Sequence, residues 1–426
     1  MNIKKKIEAA NNQALDRMAK VQPILIDIEL EAKNIIPKMD EKTILHAGPP
    51  IEWNRMSGPT KGAIAGILVY EGLAADLEEG YAIAASGEIK FDCNHDHDAV
   101  GPMTGITAPH QPVFVLEDKN SGHKAFCTLN EGRGKVLRFG GWGPDVLKKL
   151  NWMKGILAPA LKKAILHSKG IDIKTIIAES LHMGDEAHNR NRSGTYLFLS
   201  EITPHLLDTV EAETTKEVFQ FLKENVDIFN LNLSMPHSKL IADAARNIDY
   251  CTLMVAMARN GTEIGIQVSS LGREWFKSPA PNVEGLFFPG YSEKDACLDL
   301  GDSTISEVVG IGGFAMAASP AIVSFVGGSA SDAITRTERM YEITAGVSRT
   351  FTIPSLNFKG TPTGVDIRRV VELNETPLIN TGIAHKVAGI GQIGAGLTSA
   401  PLEMFQNALK SFGKKYVNKQ VTKGNK

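Results

Sequence analysis

The segment CTLMVAMARNGTEIGIQVSS (251–270) predicts two β-strands joined by a tight turn. Apolar and β-branched side chains stand on both sides of Asn260-Gly261. This dipeptide favours a type I′ turn, because both of its residues tolerate a positive φ. We therefore expect an antiparallel hairpin here, and we interpret the rest of the chain outward from it.

Strands and helices are mixed in the first third of the chain. PILIDI (23–28) predicts a strand, and the residues from Pro59 to about Glu79 predict a helix. PVFVLE (112–117) and KAFCTL (124–129) predict a second hairpin, since a turn-forming DKNSGH separates two apolar runs.

A helical pattern begins at Pro144 and strands return beyond about residue 226. Apolar residues recur at helical spacing after Pro144, and further helices are expected near 172–182, 194–207 and 214–224. Farther on, AIVSFV (321–326), a GGSAS turn and a helix from about Asp332 to Thr344 predict a β-turn-α unit.

These patterns predict a mixed α/β protein of several domains, with a mainly helical segment inserted between two α/β domains. The expected parts are an N-terminal α/β domain (1–142), the helical segment (143–225), a C-terminal α/β domain (226–410) and a flexible basic tail (411–426).

Composition excludes several classes of function. The 426 residues carry 46 Lys and Arg against 48 Asp and Glu, so no overall positive field favours nucleic acid. The uncharged run from Val308 to Ser331 contains five glycines and Pro320, which argues against a membrane span. Four cysteines without a CxxC pair favour the reducing cytoplasm over a disulfide framework.

AGIGQIGAG (388–396) contains the spacing GxGxxG but lacks its required context. A dinucleotide-binding turn follows a strand directly and is followed by an acidic residue about 20 positions later. Here NTGIAHKV precedes the glycines and position 414 is lysine. A Rossmann dinucleotide fold is therefore not expected, and no cofactor is predicted.

Two segments combine imidazoles with acids. FDCNHDHDAVGPM (91–103) places His95 and His97 two residues apart, so on a strand both would share one face. HMGDEAHNRNRSGT (182–195) is denser still, and its candidates for proton transfer are His182, Asp185, Glu186 and His188.

Three glycine-containing segments are candidates for binding an anion through backbone N–H groups and cations. CTLNEGRGKVLRFGGWG (127–143) contributes Glu131, Arg133, Lys135 and Arg138. FVGGSASDA (325–333) places Gly327 and Gly328 before a helix N-terminus, where plain capping by Ser331 or Asp332 would look the same. The third segment is AGIGQIGAG, which lies beside His385.

The chain resembles the YlbE/AllG family over residues 1–410, at long and ordered blocks. The blocks are HAGPPIEWNRMSGPTKGA (46–63), HDHDAVGPM (95–103), CTLNEGRGKVLRFG (127–140), HMGDEAHNRNRSGT (182–195), GDSTISEVVGIGGFAMAASPAIVSFVGG (301–328) and NTGIAHKVAGIGQIGAG (380–396). The resemblance implies a subunit of oxamate carbamoyltransferase in purine and allantoin breakdown, together with an FdrA-like subunit and a further subunit. YahG-like members of the family have no settled substrate.

That reaction would convert oxalurate and phosphate to oxamate and carbamoyl phosphate, and chemical type assigns the roles. The expected anion-binding residues are Arg133, Lys135, Arg138 and Arg190. The general acid is His182 or His188, oriented by Asp185 or Glu186, and His95 is a second proton-transfer candidate.

Two other classes of function stay open. One is a metal-dependent hydrolase or lyase acting on ureides, with His95, His97 and His188 as ligands. The other is a non-catalytic subunit that completes the site of the FdrA-like partner. Assembly into a homo-oligomer also stays open, and we expect no bound metal.

Overall fold

The computed structural model describes residues 2–417. Its α-helices are α1 (Ile3–Lys20), α2 (Gly58–Tyr70), α3 (Leu77–Ser86), α4 (Pro144–Trp152), α5 (Ala158–Ser168), α6 (Ile173–His182), α7 (Arg192–Thr209), α8 (Ala212–Glu224), α9 (Leu231–Ala244), α10 (Ile305–Val308), α11 (Val323–Val326), α12 (Ala330–Met340), α13 (Ile367–Leu373) and α14 (Leu402–Tyr416). Its strands are β1 (Pro23–Glu29), β2 (Thr43–His46), β3 (Lys90–Cys93), β4 (Val113–Asp118), β5 (Lys124–Thr128), β6 (Ile171–Asp172), β7 (Met254–Asn260), β8 (Glu263–Val268), β9 (Phe276–Pro279), β10 (Glu284–Phe287), β11 (Leu300–Gly301), β12 (Thr344–Ile353), β13 (Lys359–Val365), β14 (Leu378–Ala384) and β15 (Gln392–Ser399).

The described strands form several small sheets, which confirms the mixed α/β class. Two sheets have four strands, in the orders β5-β4-β1-β6 and β11-β7-β8-β9, and a third has the order β10-β15-β14. The pairs β12-β13 and β2-β3 stand apart, and β2 and β3 run parallel. The predicted domain boundaries stay a prediction, although α4 to α8 do lie within the segment 143–225.

The hairpin predicted at 251–270 is present, but its turn is not of type I′. β7 and β8 pair antiparallel. Gly261 has a positive φ of 78°, whereas Asn260 remains in the strand. The side-chain oxygen of Asn260 accepts hydrogen bonds from the backbone N–H groups of Thr262 (3.1 Å) and Glu263 (2.7 Å). The asparagine therefore stabilises the turn through its side chain and not through a left-handed backbone.

Helix α9 occupies the position where strands were predicted to resume, so that prediction is wrong for residues 231–244. Every residue from Leu231 to Ala242 is buried. A helix buried all round has no solvent-exposed face, so its polar residues need not fall on one side, and Pro236 within it is a residue that normally interrupts helices. The sequence signals of a helix are therefore missing where the helix is most central.

The segment 321–326 is helical and not the predicted strand. Pro320 starts a short 3₁₀ turn that continues into α11, because proline favours the first position of a helix. The next helix, α12, begins after Ser329, whose side chain and that of Asp332 cap each other's backbone N–H groups. Gly327 and Gly328 make the turn between the two helices.

The predicted flexible tail is helical as far as it is described. Residues 411–416 belong to α14, where Phe412 and Tyr416 are buried against α1. The two buried residues are four positions apart, as on one face of a helix, but the lysines between them made the segment resemble a solvated tail. Residues 418–426 of the predicted tail lie outside the described residues. In residues 2–417 no helix is both long and apolar enough to cross a membrane.

The GxGxxG stretch begins in a loop and ends within the antiparallel strand β15. Gly389 and Gly391 have positive φ values, and the chain then pairs with β14 and β10. A dinucleotide-binding turn would instead lead from a parallel strand into a helix. The structure thus agrees with the absence of a Rossmann fold.

Two buried charged residues join the glycine-containing blocks. The Asp302 carboxylate accepts hydrogen bonds from the N–H groups of Gly48 (2.8 Å) and Gly101 (3.0 Å) and from the Asn94 amide (2.9 Å). Burial raises the pKa of Asp302 to about 7. Three blocks that are far apart in sequence therefore meet at one carboxylate.

Arg259 makes the second junction, and its side chain is fully buried. Its guanidinium donates to both Asp299 oxygens (2.8 and 3.0 Å), to Gly301 O (2.5 Å), to Thr304 Oγ1 (3.1 Å) and to Thr381 Oγ1 (2.9 Å). It links β7 to β11, to the start of α10 and to β14.

Arg259→Met should lower the free energy of unfolding by about 3–5 kcal/mol, because it leaves the Asp299 carboxylate buried without its cation. Urea denaturation measures the change. Arg55→Ala is the matched control, since Arg55 forms a half-exposed ion pair with Glu263 on the same sheet and should cost about 0–1 kcal/mol. Equal midpoints for the two variants would contradict the role of Arg259.

Candidate active site

Hydrogen bonds between its own side chains and backbone hold the loop between β5 and α4 in shape. The Glu131 carboxylate accepts the backbone N–H groups of Leu137 (2.7 Å) and Arg138 (3.2 Å). The Gly132 carbonyl accepts Nε (3.1 Å) and Nη2 (2.6 Å) of Arg138. Glu131 was predicted to bind substrate, but both of its oxygens are engaged within the loop. Its role is to position Arg138, whose side chain is buried.

Arg133 projects from the same loop between two glycines with φ values of 94° and 85°. Its Nη2 donates to the carbonyl of Asn189 at 3.2 Å, and its Cζ lies 4.7 Å from the ring centre of Phe325. A third of the side chain is exposed. Its Nη1 lies 3.7 Å from Asp227 Oδ2, so the guanidinium is held in place while part of the side chain stays accessible to a ligand.

His188 lies in the loop between α6 and α7, and a carboxylate orients its ring. The Glu186 side chain accepts the backbone N–H groups of His188 (3.0 Å) and Arg190 (2.5 Å), which shapes the loop. Glu307 Oε1 accepts Nδ1–H of His188 at 2.8 Å and also the N–H of Gly313 at 2.8 Å. This arrangement leaves Nε2 as the ring nitrogen available for proton transfer.

These side chains line one cleft with an inner and an outer part. The inner part has a volume of about 20 Å³, which accommodates one water-sized group. Its lining includes Arg133, Arg138, His188, Asn189, Ser303 and Gln392. The outer part has a volume of about 170 Å³, and its charged lining residues are Arg133, Arg190, Arg192 and Asp227. Arg133, Asn189 and Phe325 line both parts, so the two parts are adjacent.

Burial determines the charges around the cleft. It lowers the pKa of Arg138 to about 10 and lowers the pKa of Arg133, so both guanidiniums stay charged near neutral pH. It raises the pKa of Asp185 to about 7 and also raises that of Glu186. The guanidiniums thus keep their charge near neutral pH, which suits an anionic ligand.

Three further predicted residues lie outside the lining of the cleft. Lys135 is exposed and pairs with Asp145 (3.3 Å). His182 is exposed and its Nε2 contacts Thr352 Oγ1 (2.8 Å). His385 packs against the ring of Tyr291, and its Nδ1 accepts the N–H of Val387. Gly327 and Gly328 belong to the turn before α12 and also lie outside the lining.

The histidines proposed as metal ligands point to different partners. Residues Asn94–His97 form a 3₁₀ turn and not a strand, so His95 and His97 do not share a face. His95 is buried with Nε2 3.7 Å from Asp302 Oδ1, and burial holds its pKa well below the usual range. His97 contacts the Pro37 carbonyl and Asp92, while His188 contacts Glu307. The structure does not bring the three imidazoles together.

The sequence interpretation missed the residue that orients His188. Asp185 or Glu186 was expected in that role because both are close in sequence, but their carboxylates accept backbone N–H groups of their own loop. Glu307 is 119 residues away in the chain. Its signal was present in the block GDSTISEVVGIGG (301–313), where Glu307 is one of two acids and directly precedes an apolar and glycine-rich run.

Asp185→Asn should make the protein's stability less dependent on pH. A buried carboxyl with a pKa near 7, against about 4 when unfolded, binds its proton more tightly in the folded state, so wild-type stability falls as pH rises from about 4 to 7. Asparagine keeps an acceptor for the Gly194 N–H and cannot ionise.

Between pH 5 and pH 8 the free energy of unfolding of the wild type should fall by about 1–3 kcal/mol more than that of Asp185→Asn. Urea denaturation at both pH values measures it. Asp145→Asn serves as the control, because a hydrogen bond from Lys135 lowers the pKa of that exposed carboxyl, so its effect should not change over this range. A parallel pH profile for wild type and Asp185→Asn would refute the expectation.

Comparison with known proteins identifies the family. The family profile "Oxamate carbamoyltransferase subunit AllG" matches residues 89–303. "Uncharacterized protein YahG" of Escherichia coli (strain K12) is 45% identical over 96% of this chain and 87% of its own length. "Oxamate carbamoyltransferase subunit AllG" of the same strain is 43% identical over 95% of this chain and 97% of its own.

A solved structure, described as "Crystal structure of a conserved protein of unknown function from Enterococcus faecalis V583", superposes with a TM-score of 0.94 at 45% identity. The match covers 96% of this chain and 98% of that one. These similarities extend over nearly the whole length and over the segments that build the cleft. The chain therefore belongs to the AllG family.

Proposed function

We propose that this chain is a subunit of an oxamate carbamoyltransferase and that it contributes the anion-binding and proton-transfer residues. The reaction converts oxalurate and phosphate to oxamate and carbamoyl phosphate. The observation that carries the proposal is that Arg133, Arg138 and His188, from two separate loops, line one cleft. The relative named AllG supplies the reaction class.

Two anions must meet in this reaction, and their repulsion is the first obstacle. Guanidiniums in a partly water-excluded cleft offset it more effectively than they would in bulk water. Arg190 and Arg192 at the mouth attract an incoming anion, and Arg133 lies between the mouth and the inner part. Arg138 is a buried cation within the glycine loop, held by the Gly132 carbonyl.

The chemical step joins a phosphate oxygen to the ureido carbonyl carbon of oxalurate. The carbonyl oxygen gains negative charge, the bond from that carbon to the oxamate nitrogen breaks, and the nitrogen takes up the proton that hydrogen phosphate gives up. In the proposal the arginines stabilise the developing oxyanion. His188 passes the proton through Nε2 while Glu307 holds Nδ1.

The complex is part of the proposal. The AllG relative is named a subunit, and we propose an FdrA-like chain and one further subunit as partners that complete the cleft from outside. The chain alone should then show little turnover, and the reconstituted complex should be active. Equal activity of the complex with and without an intact cleft in this chain would favour the non-catalytic alternative.

Arg133→Ala should slow turnover of the reconstituted complex by about 10-fold to 100-fold, because a charge-assisted guanidinium contact contributes about 1.5–3 kcal/mol. Arg133→Lys should restore only part of the rate, since an ammonium cannot form the planar bidentate contact. Carbamoyl phosphate formation is the readout, and thermal melts verify the fold.

Lys135→Ala is the matched control for this prediction. Lys135 lies two residues away in the same loop, but its side chain pairs with Asp145 at the surface. Its loss should leave the rate within about twofold, because a surface ion pair contributes little. Unchanged turnover in Arg133→Ala, or an equal loss in Lys135→Ala, would remove the arginine from the proposed site.

The metal-dependent alternative predicts that the purified protein contains bound zinc, whereas the proposed function does not. Since His95, His97 and His188 contact three separate partners, we expect no stoichiometric zinc held by them. Elemental analysis after dialysis without chelator measures this. One tightly held equivalent of zinc that disappears in His188→Ala would support the hydrolase instead.

A further inference from the structure

A second cavity rich in cationic side chains lies away from the cleft. It has a volume of about 350 Å³ and lies between the C-terminal part of α9, the turn joining β4 to β5, and the segment between β8 and β9. Its charged lining residues are Arg17, Asp98, Asp118, His123, Asp243, Arg246 and Arg273. It shares no lining residue with either part of the cleft.

The floor of this cavity contains two buried cations that share one carboxylate. Lys239 Nζ contacts one oxygen of Asp243, and Arg246 Nε contacts the other. The exposed fractions of the three side chains are 0% for Lys239, 10% for Arg246 and 6% for Asp243. One positive charge is thus left over at a position where water cannot screen it well.

Arg246 also has unused hydrogen-bonding capacity. Among residues 2–417 neither Nη1 nor Nη2 has a hydrogen-bond partner, although both atoms are buried. Buried donors without acceptors are costly, and such groups in a folded protein call for an acceptor from outside the chain. Two guanidinium nitrogens side by side match the two oxygens of one oxyanion.

The rim of the cavity carries charges of both signs, and its acids already have partners. Arg273 pairs with Asp96 (3.4 Å) and with Asp98 (3.8 Å), and more than half of its side chain is exposed. Asp118 is already engaged by the N–H of Gln22 (2.8 Å) and by Ser121. Interaction with Asp243 raises the pKa of His123, which favours its cationic form.

A divalent cation is the competing occupant. Ligand atoms of Asp98, His123 and Asp243 lie within 4.8 Å of one another. The Asp243 carboxylate, however, is already neutralised by Lys239 and Arg246, so an added dication would lie next to two buried positive charges. The net positive charge that Lys239 and Arg246 leave on the cavity floor after pairing with Asp243 therefore favours an anion.

We propose that this cavity binds a small oxyanion, such as phosphate or a short dicarboxylate, through the terminal nitrogens of Arg246 with Arg17 and Arg273 at the rim. The site is separate from the proposed catalytic cleft. The chain thereby gains a second anion-binding position whose occupancy stabilises the junction of α9 with the β4–β5 turn.

Equilibrium dialysis of radiolabelled phosphate against the Arg133→Ala protein tests this site, because that variant impairs the cleft and leaves the cavity intact. We expect about one bound equivalent. Adding Arg246→Gln should weaken binding at least 10-fold, and adding Arg17→Gln at the exposed rim should weaken it about threefold. Competition with unlabelled oxalate separates carboxylate from phosphate preference.

Arg349→Gln is the matched control, since Arg349 is an exposed arginine paired with Asp16 outside the cavity lining and should leave binding unchanged. Thermal melts separate loss of binding from loss of fold, and the Arg17 variant decides the matter if the Arg246 variant unfolds. Equal phosphate binding with and without the cavity substitutions would overturn the proposal. So would one equivalent of Mn²⁺ bound in place of phosphate and lost in His123→Ala.

Discussion

The geometry of the cleft depends on the buried ion pair between Arg259 and Asp299. A fully desolvated guanidinium must use its donors, and here they hold β7, the segment before α10 and β14 at fixed distances. Thr304 and Thr381, which Arg259 contacts, adjoin Ser303 and Gly382 in the cleft lining. The cost of burying the charge is offset by six hydrogen bonds, and the same bonds orient the segment that carries Glu307.

The cleft unites loops that are far apart in sequence, and each loop supplies what another lacks. The glycine loop after β5 provides the cations but no histidine. The loop after α6 provides His188 but leaves the ring to be oriented by Glu307 from α10. Phe325 from α11 covers Arg133 on one side. A cation, an oriented imidazole and an apolar wall at one place are what a transfer between two anions requires.

The sequence predicted strands and helices correctly where neighbouring residues in the chain determine them. The hairpin at 251–270, the strand at 23–28 and the helices of 143–225 follow from apolar spacing and turn residues, which act over a few positions. The same rules failed for α9, whose burial on every side removes the polar face, and for 321–326, where Pro320 begins a helical turn. They also missed the helix at residues 411–416, where Lys414 and Lys415 lie between the buried residues Phe412 and Tyr416 of α14.

By itself the sequence determined the mixed α/β class, the absence of a dinucleotide-binding turn and the family resemblance, because these depend on residue order and on short-range backbone preferences. It also indicated Arg133, Arg138 and His188 by chemical type. Only the tertiary structure decided which candidates meet. His95, His182 and Lys135 are as polar as the others in sequence, but burial and partners direct them elsewhere, and Glu307 joins His188 across 119 residues, a distance over which no local pattern carries information.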